Sequence, residues 1–223
     1  MAAVDPLLID LPESIGSERL WLRAPRAGDG PAVNEAIVQS LGELKPWMPW
    51  AQKAPTLQES ELECRRMAAR FARRDDLPLL IFARAADGGF GRLLGGTGLH
   101  RMDWSVPRFE VGYWRRSGEQ GRGLITEAVR TLTRFAFDTL GARRVEVRMT
   151  SSNHKSRAVA ERCGFTFEGA LRQDSLDVHG QPRDTAVYSR VRGVEEPAVA
   201  APAPPRSLRA LPSRAAKEDR PRR

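Results

Sequence analysis

Between Phe109 and Ala136 the chain changes period, and the change takes place across two glycines. Phe109, Val111 and Tyr113 alternate with Glu110, Gly112 and Trp114, the period of two that a strand requires. From Leu124 onward, Leu124, Ala128, Leu132, Phe135 and Ala136 fall on one face of a helix. A strand feeding a long amphipathic helix through Gln120-Gly121-Arg122-Gly123-Leu124-Ile125 confines the fold to one that packs sheet and helix around a shared core. Glycines let the backbone turn tightly and approach a ligand closely, while the helix start offers unpaired N–H groups and the positive end of its dipole. Such a junction suits phosphate, and Arg115, Arg116 and Arg122 would add charge for a pyrophosphate. On residue types alone it also reads as a plain turn, because it lacks the Gly-Lys-Ser/Thr of a Walker loop and the spacing of a dinucleotide fingerprint.

Elsewhere the same two periods alternate. Arg19–Arg23 reads as a strand, and a helix follows in which Asp29 is the expected cap, with Pro31 in the first turn and Val33, Ile37 and Leu41 at helical spacing. Leu44–Trp50 holds two prolines and two tryptophans and must be irregular. Thr56-Leu57-Gln58-Glu59 reads as a capping box opening a helix with Leu57, Cys64, Ala68 and Phe71 on one face. Leu79–Ala83 and Leu93–Leu99 flank the Asp87-Gly88-Gly89 turn as antiparallel strands. Val145, Val147 and Met149 mark another strand, Asn153 precedes a short helix, and Phe165–Gly169 with Ala186–Val191 close the pattern around Gly180. The predicted order β-α-α-β-β-β-α-β-α-β-β describes an α+β domain with a mainly antiparallel sheet.

Composition narrows the setting. With 223 residues and 41% hydrophobic content the chain can bury one core, and no apolar run approaches the roughly 20 residues of a membrane span. No signal-like start is present, and Cys64 and Cys163 stand alone rather than in a framework, so a reducing cytoplasm is expected. Cys163 reads as a buried thiol, and His100, His154 and His179 are too scattered for a metal site. The net charge of +8 divides unevenly: Val194–Arg223 carries seven basic and four acidic residues, a net of +3, leaving +5 for residues 1–193. That Pro/Ala/Arg-rich stretch lacks apolar periodicity, so the expected organisation is a domain over 1–193 and a disordered basic tail over 194–223.

The glycine junction resembles the acetyl-CoA pyrophosphate loop of the GNAT acetyltransferases, Gln/Arg-x-x-Gly-x-Gly/Ala, with Ile125 departing at the last position. A bulky residue there is similar to the RimJ/RimL-type ribosomal-protein N-terminal acetyltransferases. The resemblance runs from about Gly16 to Arg192 and includes Trp47-Met48-Pro49-Trp50, Phe109–Trp114, Asn153-His154-Lys155-Ser156, Cys163–Gly169 and Asp184–Tyr188. It implies a sheet splayed in the middle, helices on both faces, and acetyl-CoA as the acetyl donor. The donor would contact Gln120, Gly121, Arg122, Gly123, Leu124 and Ile125, with its pantetheine arm in a split between the strands ending near Trp114 and Thr150, beside Val111 and Tyr113. A backbone N–H near Val111–Tyr113 would hold the carbonyl oxygen.

Five residues keep two readings each. Asn153 either bonds the arm or simply caps its helix; Ser156 either protonates the departing thiolate or is an idle surface serine. Glu110 is either a base acting through water or a charged residue on the solvent face of a strand. Where RimL proteins carry a glutamate base, this chain has Ser175 with Asp174 adjacent. Trp47 and Trp50 either wall the acceptor site or plug the core. An α-amine, with pKa near ~8, is partly neutral at cytosolic pH where lysine, near ~10.4, is not, so a weak base favours a protein N-terminus as acceptor. A small amine such as an amino sugar or polyamine is the rival acceptor. A catalytically silent CoA-binding or nucleic-acid-associated protein, acting through its basic tail, is the reading from another class. The resemblance also makes a homodimer an expectation.

Overall fold

Each alternating segment takes its place in one sheet in the computed structural model, which describes residues 5–197. The strands are β1 (Ser14–Gly16), β2 (Leu20–Arg23), β3 (Leu77–Arg84), β4 (Phe90–Asp103), β5 (Arg108–Arg115), β6 (Arg144–Thr150), β7 (Thr166–Leu176) and β8 (Pro182–Val191). They pair in the order β1-β2-β3-β4-β5-β6-β8-β7. Every neighbouring pair is antiparallel except β5 and β6, which are parallel. The helices are α1 (Gly30–Leu44), α2 (Leu57–Arg73), α3 (Leu124–Asp138) and α4 (His154–Arg162).

The unbroken apolar run of β3 follows from burial on both faces. Leu79 and Ile81 join the larger core with Ala128, Val129 and Leu132 of α3 and Ala160 of α4, whereas Leu80 and Phe82 pack with Val33 and Ala36 of α1 and Cys64 of α2. Helices therefore cover both faces, α1 and α2 on one and α3 and α4 on the other. This is the α+β architecture that the sequence implied.

The sheet is continuous only at one end. β5 and β6 pair at Arg108↔Arg144, Phe109↔Val145 and Glu110↔Glu146 and then part. Beyond Glu110, β5 stays with β4 as far as Gly95↔Arg115, and β6 stays with β8 as far as Thr150↔Thr185. A splay between the two strands named from sequence is thus present, and it leaves two inner strand edges without partners.

Several local expectations need correction. Asp29 occupies the N-cap position of α1 but makes no capping bond. Its carboxylate instead accepts from both terminal nitrogens of Arg23 at 2.7 Å and from the Arg26 N–H at 2.8 Å. The orphan amides of Gly28 and Gly30 donate to Glu61 of α2, so the cap is supplied by the neighbouring helix. The capping box at Thr56 and Glu59 is formed, yet Leu57 is exposed and α2 buries Ser60 and Cys64. β4 is longer than expected and carries a bulge between His100 and Asp103, with Arg101 in the left-handed region at φ 46°. Val194–Glu196, assigned from sequence to the tail, fold back: Glu195 accepts from the Thr166 hydroxyl and the Val191 N–H, and Glu196 pairs with Arg190. Four residues of that stretch, up to Pro197, thus belong to the described structure, and the rest of the tail lies outside it. No helix among the described residues is long and apolar enough to cross a membrane.

Candidate active site

Where β5 and β6 part, a cavity of about 750 Å³ opens, and it reaches both faces of the sheet. Alternation along β5 explains why. Val111 and Tyr113 point to the α3/α4 side, whereas Glu110, Gly112 and Trp114 point to the α1/α2 side, and all five line the cavity. Asn153 and Ser156 border it from α4, and Trp47 and Trp50 from the segment after α1. The structure therefore brings together every expected site residue except Gln120–Ile125, which lies outside this cavity.

On the α4 side, the Ser156 hydroxyl is 2.7 Å from the Tyr113 hydroxyl. The Tyr113 oxygen also donates toward the Ser156 carbonyl at 3.2 Å. Burial pushes the Tyr113 phenol above its ordinary range, so it stays protonated at any working pH. Either hydroxyl can be the donor in the 2.7 Å contact; where the phenol proton goes to Ser156 Oγ rather than to the carbonyl, the serine's own proton is free to face the cavity. Asn153 Oδ1 accepts from the Ser156 N–H at 3.1 Å, a helix cap that also fixes where Ser156 stands. The dipole of α4 favours negative charge at that end.

The other face presents a floor of cross-strand partners: His100↔Glu110, then Gly98↔Gly112, then Gly96↔Trp114. A Cβ at Gly98 or Gly112 would fall within 2.8–3.0 Å of the His100 ring, and one at Gly96 would be 2.4 Å from the Trp114 indole nitrogen. The glycines thus let both rings lie down against the sheet and leave room above them. Trp50 stands edge-on to Trp114 at 6.1 Å between ring centroids and is 52% exposed, so it walls the cavity and plugs no core.

Glu110 is not on a solvent face. Burial raises its carboxyl above the usual range against the pull of Arg101 and Arg148. Its Oε2 is buried with no hydrogen-bond partner, the nearest cation being Arg101 at 3.4 Å. Ser175 and Asp174 lie away from the cavity, Ser175 accepting from Arg183 and Asp174 from Arg148. A residue that sequence reasoning passed over stands beside Glu110: His100, whose Nδ1 lies 2.6 Å from Asp76 Oδ1. The two are 24 positions apart and share no motif, so only the strand register reveals them. Cys64 and Cys163 are buried, and desolvation raises their thiols to about 12 and about 11, which removes both as nucleophiles.

The glycine junction fits an anion through its backbone. Gly121 and Gly123 adopt φ 73° and 72°, and α3 starts without any side-chain cap, leaving its first N–H groups to a ligand. Gln120 and Ser117 donate to Glu43 and Arg19 donates to the Arg122 carbonyl, which brace the loop. The arginines divide: Arg116 is 2% exposed and bound to Gln39 and Glu35, and Arg115 is bound to Glu43, so neither is free for phosphate. Arg122 remains, held by Glu119 with its side chain 63% exposed. Replacing Gly123 by Val forces a branched residue into the left-handed region, at a cost of about 1–3 kcal/mol, and adds a Cβ 3.8 Å from Arg19 Nη2 in the loop that opens α3. Calorimetry on the folded Gly123→Val variant should show acetyl-CoA affinity reduced at least about tenfold; unchanged affinity would remove the loop from the donor site.

The split is thus reached from two faces, with the paired hydroxyls of Tyr113 and Ser156 on one side and the Trp50 and Trp114 rings on the other. A sequence model of the acetyltransferase (GNAT) domain matches residues 19–166, and the chain belongs to the GNAT N-acetyltransferases, which use acetyl-CoA as acetyl donor. The candidate ribosomal N-acetyltransferase YdaF of Bacillus subtilis (strain 168) is 33% identical over 180 residues, covering 79% of this chain and 93% of that protein. RimL, the ribosomal L7/L12 alpha-N-protein acetyltransferase solved with coenzyme A, superposes with a TM-score of 0.73 at 23% identity over 80% of this chain and 98% of its own. The microcin C7 self-immunity acetyltransferase MccE, solved with acetyl-CoA and AMP, gives 0.71 at 23% identity over 79% and 94%. At that identity the two solved structures speak for the fold alone.

Proposed function

We propose that this enzyme acetylates the N-terminal α-amine of a protein, of the ribosomal-protein type, by direct attack of the amine on the acetyl-CoA thioester. The observation that carries the reading is the single cavity crossing the sheet, because it lets the two substrates meet from opposite faces. In this reading the N–H groups opening α3 hold the pyrophosphate, and Val111, Tyr113 and Asn153 line the arm. Ser156, backed by the Tyr113 phenol, gives its proton to the leaving sulfur. Trp47 and Trp50 wall the acceptor side. The relation to YdaF supports a ribosomal acceptor, and the α-amine is the acceptor that needs the least help in losing its proton.

Purified ribosomal proteins and a panel of small amines, incubated with enzyme and acetyl-CoA and read by mass spectrometry, test this. The expected product carries one acetyl group on an N-terminal residue and none on lysine. Acetylation of small amines alone, or of lysine side chains, would overturn it.

A further inference from the structure

We infer that His100, held by Asp76, is the base that takes the proton from the acceptor amine. This rests on the proposed acetyl transfer and adds the group that activates its nucleophile. A carboxylate can only accept, so the 2.6 Å contact with Asp76 Oδ1 puts the ring proton on Nδ1. Nε2 then carries the free lone pair, which is the tautomer a base needs. That nitrogen lies over the Gly98↔Gly112 pair, within 2.9–3.0 Å of where a Cβ at either would stand, on the acceptor side of the split. The ring is half-buried and borders the cavity. Glu110 is the worse-placed candidate, because its Oε2 is buried and faces Arg101 rather than the open space.

A bulge follows His100 in β4; His100 pairs across the strands with Glu110, and Arg101 lies 3.4 Å from the same carboxylate. The charged groups around the ring are Asp76 from the α2–β3 turn, Glu63 and Arg70 from α2, Arg101 from its own strand, Glu110 from β5 and Arg148 from β6. In the step itself the nitrogen–carbon bond forms and the carbon–sulfur bond breaks with its electron pair going to sulfur. The amine proton passes to Nε2, and the sulfur takes a proton from Ser156, which regains one from water as His100 releases its own. An α-ammonium near ~8 gives up its proton more readily than lysine near ~10.4, so a base at this position suits the acceptor already proposed.

The test is the pH dependence of kcat/KM for wild type, H100Q and D76N between pH 6 and 9, with a free-N-terminus hexapeptide and a primary alkylamine run in parallel. H100Q should lose about 10²-fold near neutral pH with acetyl-CoA affinity unchanged, and the deficit should shrink toward pH 9 as the ammonium loses its proton to solvent unaided. D76N should fall about tenfold and move the acidic limb, and it carries the test alone if H100Q does not fold. H100Q within threefold of wild type with an unchanged profile on both acceptors, or D76N with an unmoved limb, would overturn the assignment. Turnover of the alkylamine alone by wild type would instead overturn the N-terminal reading and leave His100 to be judged on that acceptor.

Discussion

Ser156→Ala should lower kcat by about 10²–10⁴-fold while acetyl-CoA affinity by calorimetry stays within a factor of about two. The hydroxyl matters only once charge develops on sulfur, so its loss removes stabilisation of the transition state and little of the ground state. Tyr113 sharpens the test. Its phenol stands behind Ser156 at 2.7 Å, so Tyr113→Phe should leave the serine's proton in place and cost less than Ser156→Ala. Single-turnover kinetics keep product release from hiding the effect. Near-normal turnover of Ser156→Ala under chemistry-limited conditions, with a crippled Tyr113→Phe, would transfer the role to the tyrosine.

The second large effect concerns stability. Arg23 and Asp29 form a bidentate pair at 2.7 Å with side chains only 8% and 11% exposed, and the guanidinium lies over the Phe82 ring at 4.5 Å. Removing one partner leaves a buried charge without compensation, so Arg23→Ala and Asp29→Asn should each reduce the free energy of unfolding by about 3–5 kcal/mol. Replacing both with apolar residues, Arg23→Met with Asp29→Leu, should recover part of that loss. Acid unfolding adds a signature. Burial alone would raise the Asp29 carboxyl, but the bonds from Arg23 and the Arg26 N–H outweigh it and hold the pKa below its ordinary value. The group therefore contributes stability that is fully present above the unfolded carboxyl's ~3.9 and is lost as pH falls through the lower folded value. Urea melts of wild type and Asp29→Asn should converge in that acidic window and stay apart at neutral pH. Parallel curves across the range would show that the pair is not what Asp29→Asn disturbs.

What the sequence made legible was local. Period and capping chemistry located Thr56, Asn153 and the glycine-flanked start of α3, because each depends on residues within a few positions of one another. The partnerships that shape the site are not of that kind. Asp76 and His100 stand opposite each other only because β3 and β4 pair Leu77 with Leu99, and that register includes two irregularities, at Ile81/Phe82 and Phe82/Arg84. Counting outward from the Arg84↔Phe90 pair without them would set Arg74, not Asp76, across from His100. Asp29 failed as a cap for a related reason: a short carboxylate before a helix is equally available to a buried arginine, and Arg23 is six residues away on the adjoining strand. Arg116 lost its expected phosphate role because α1 supplies Gln39 and Glu35 across a packing contact that no spacing encodes.

An open sheet ordinarily has two rims, and proteins guard both against stray strands. The parting of β5 from β6 gives this one four, two of them sunk in the middle of the molecule between α3 and α4 on one side and α1 and α2 on the other. An inner rim of that kind cannot recruit another protein chain along its length, since the slot closes again at Glu110↔Glu146. It is open instead to a thin, extended molecule with amides spaced along it, which can pair with backbone as a missing strand would. The part of acetyl-CoA between its phosphates and its sulfur has that form, and in the proposed reading the donor would complete the sheet with main-chain bonds that side-chain changes in the cleft leave untouched.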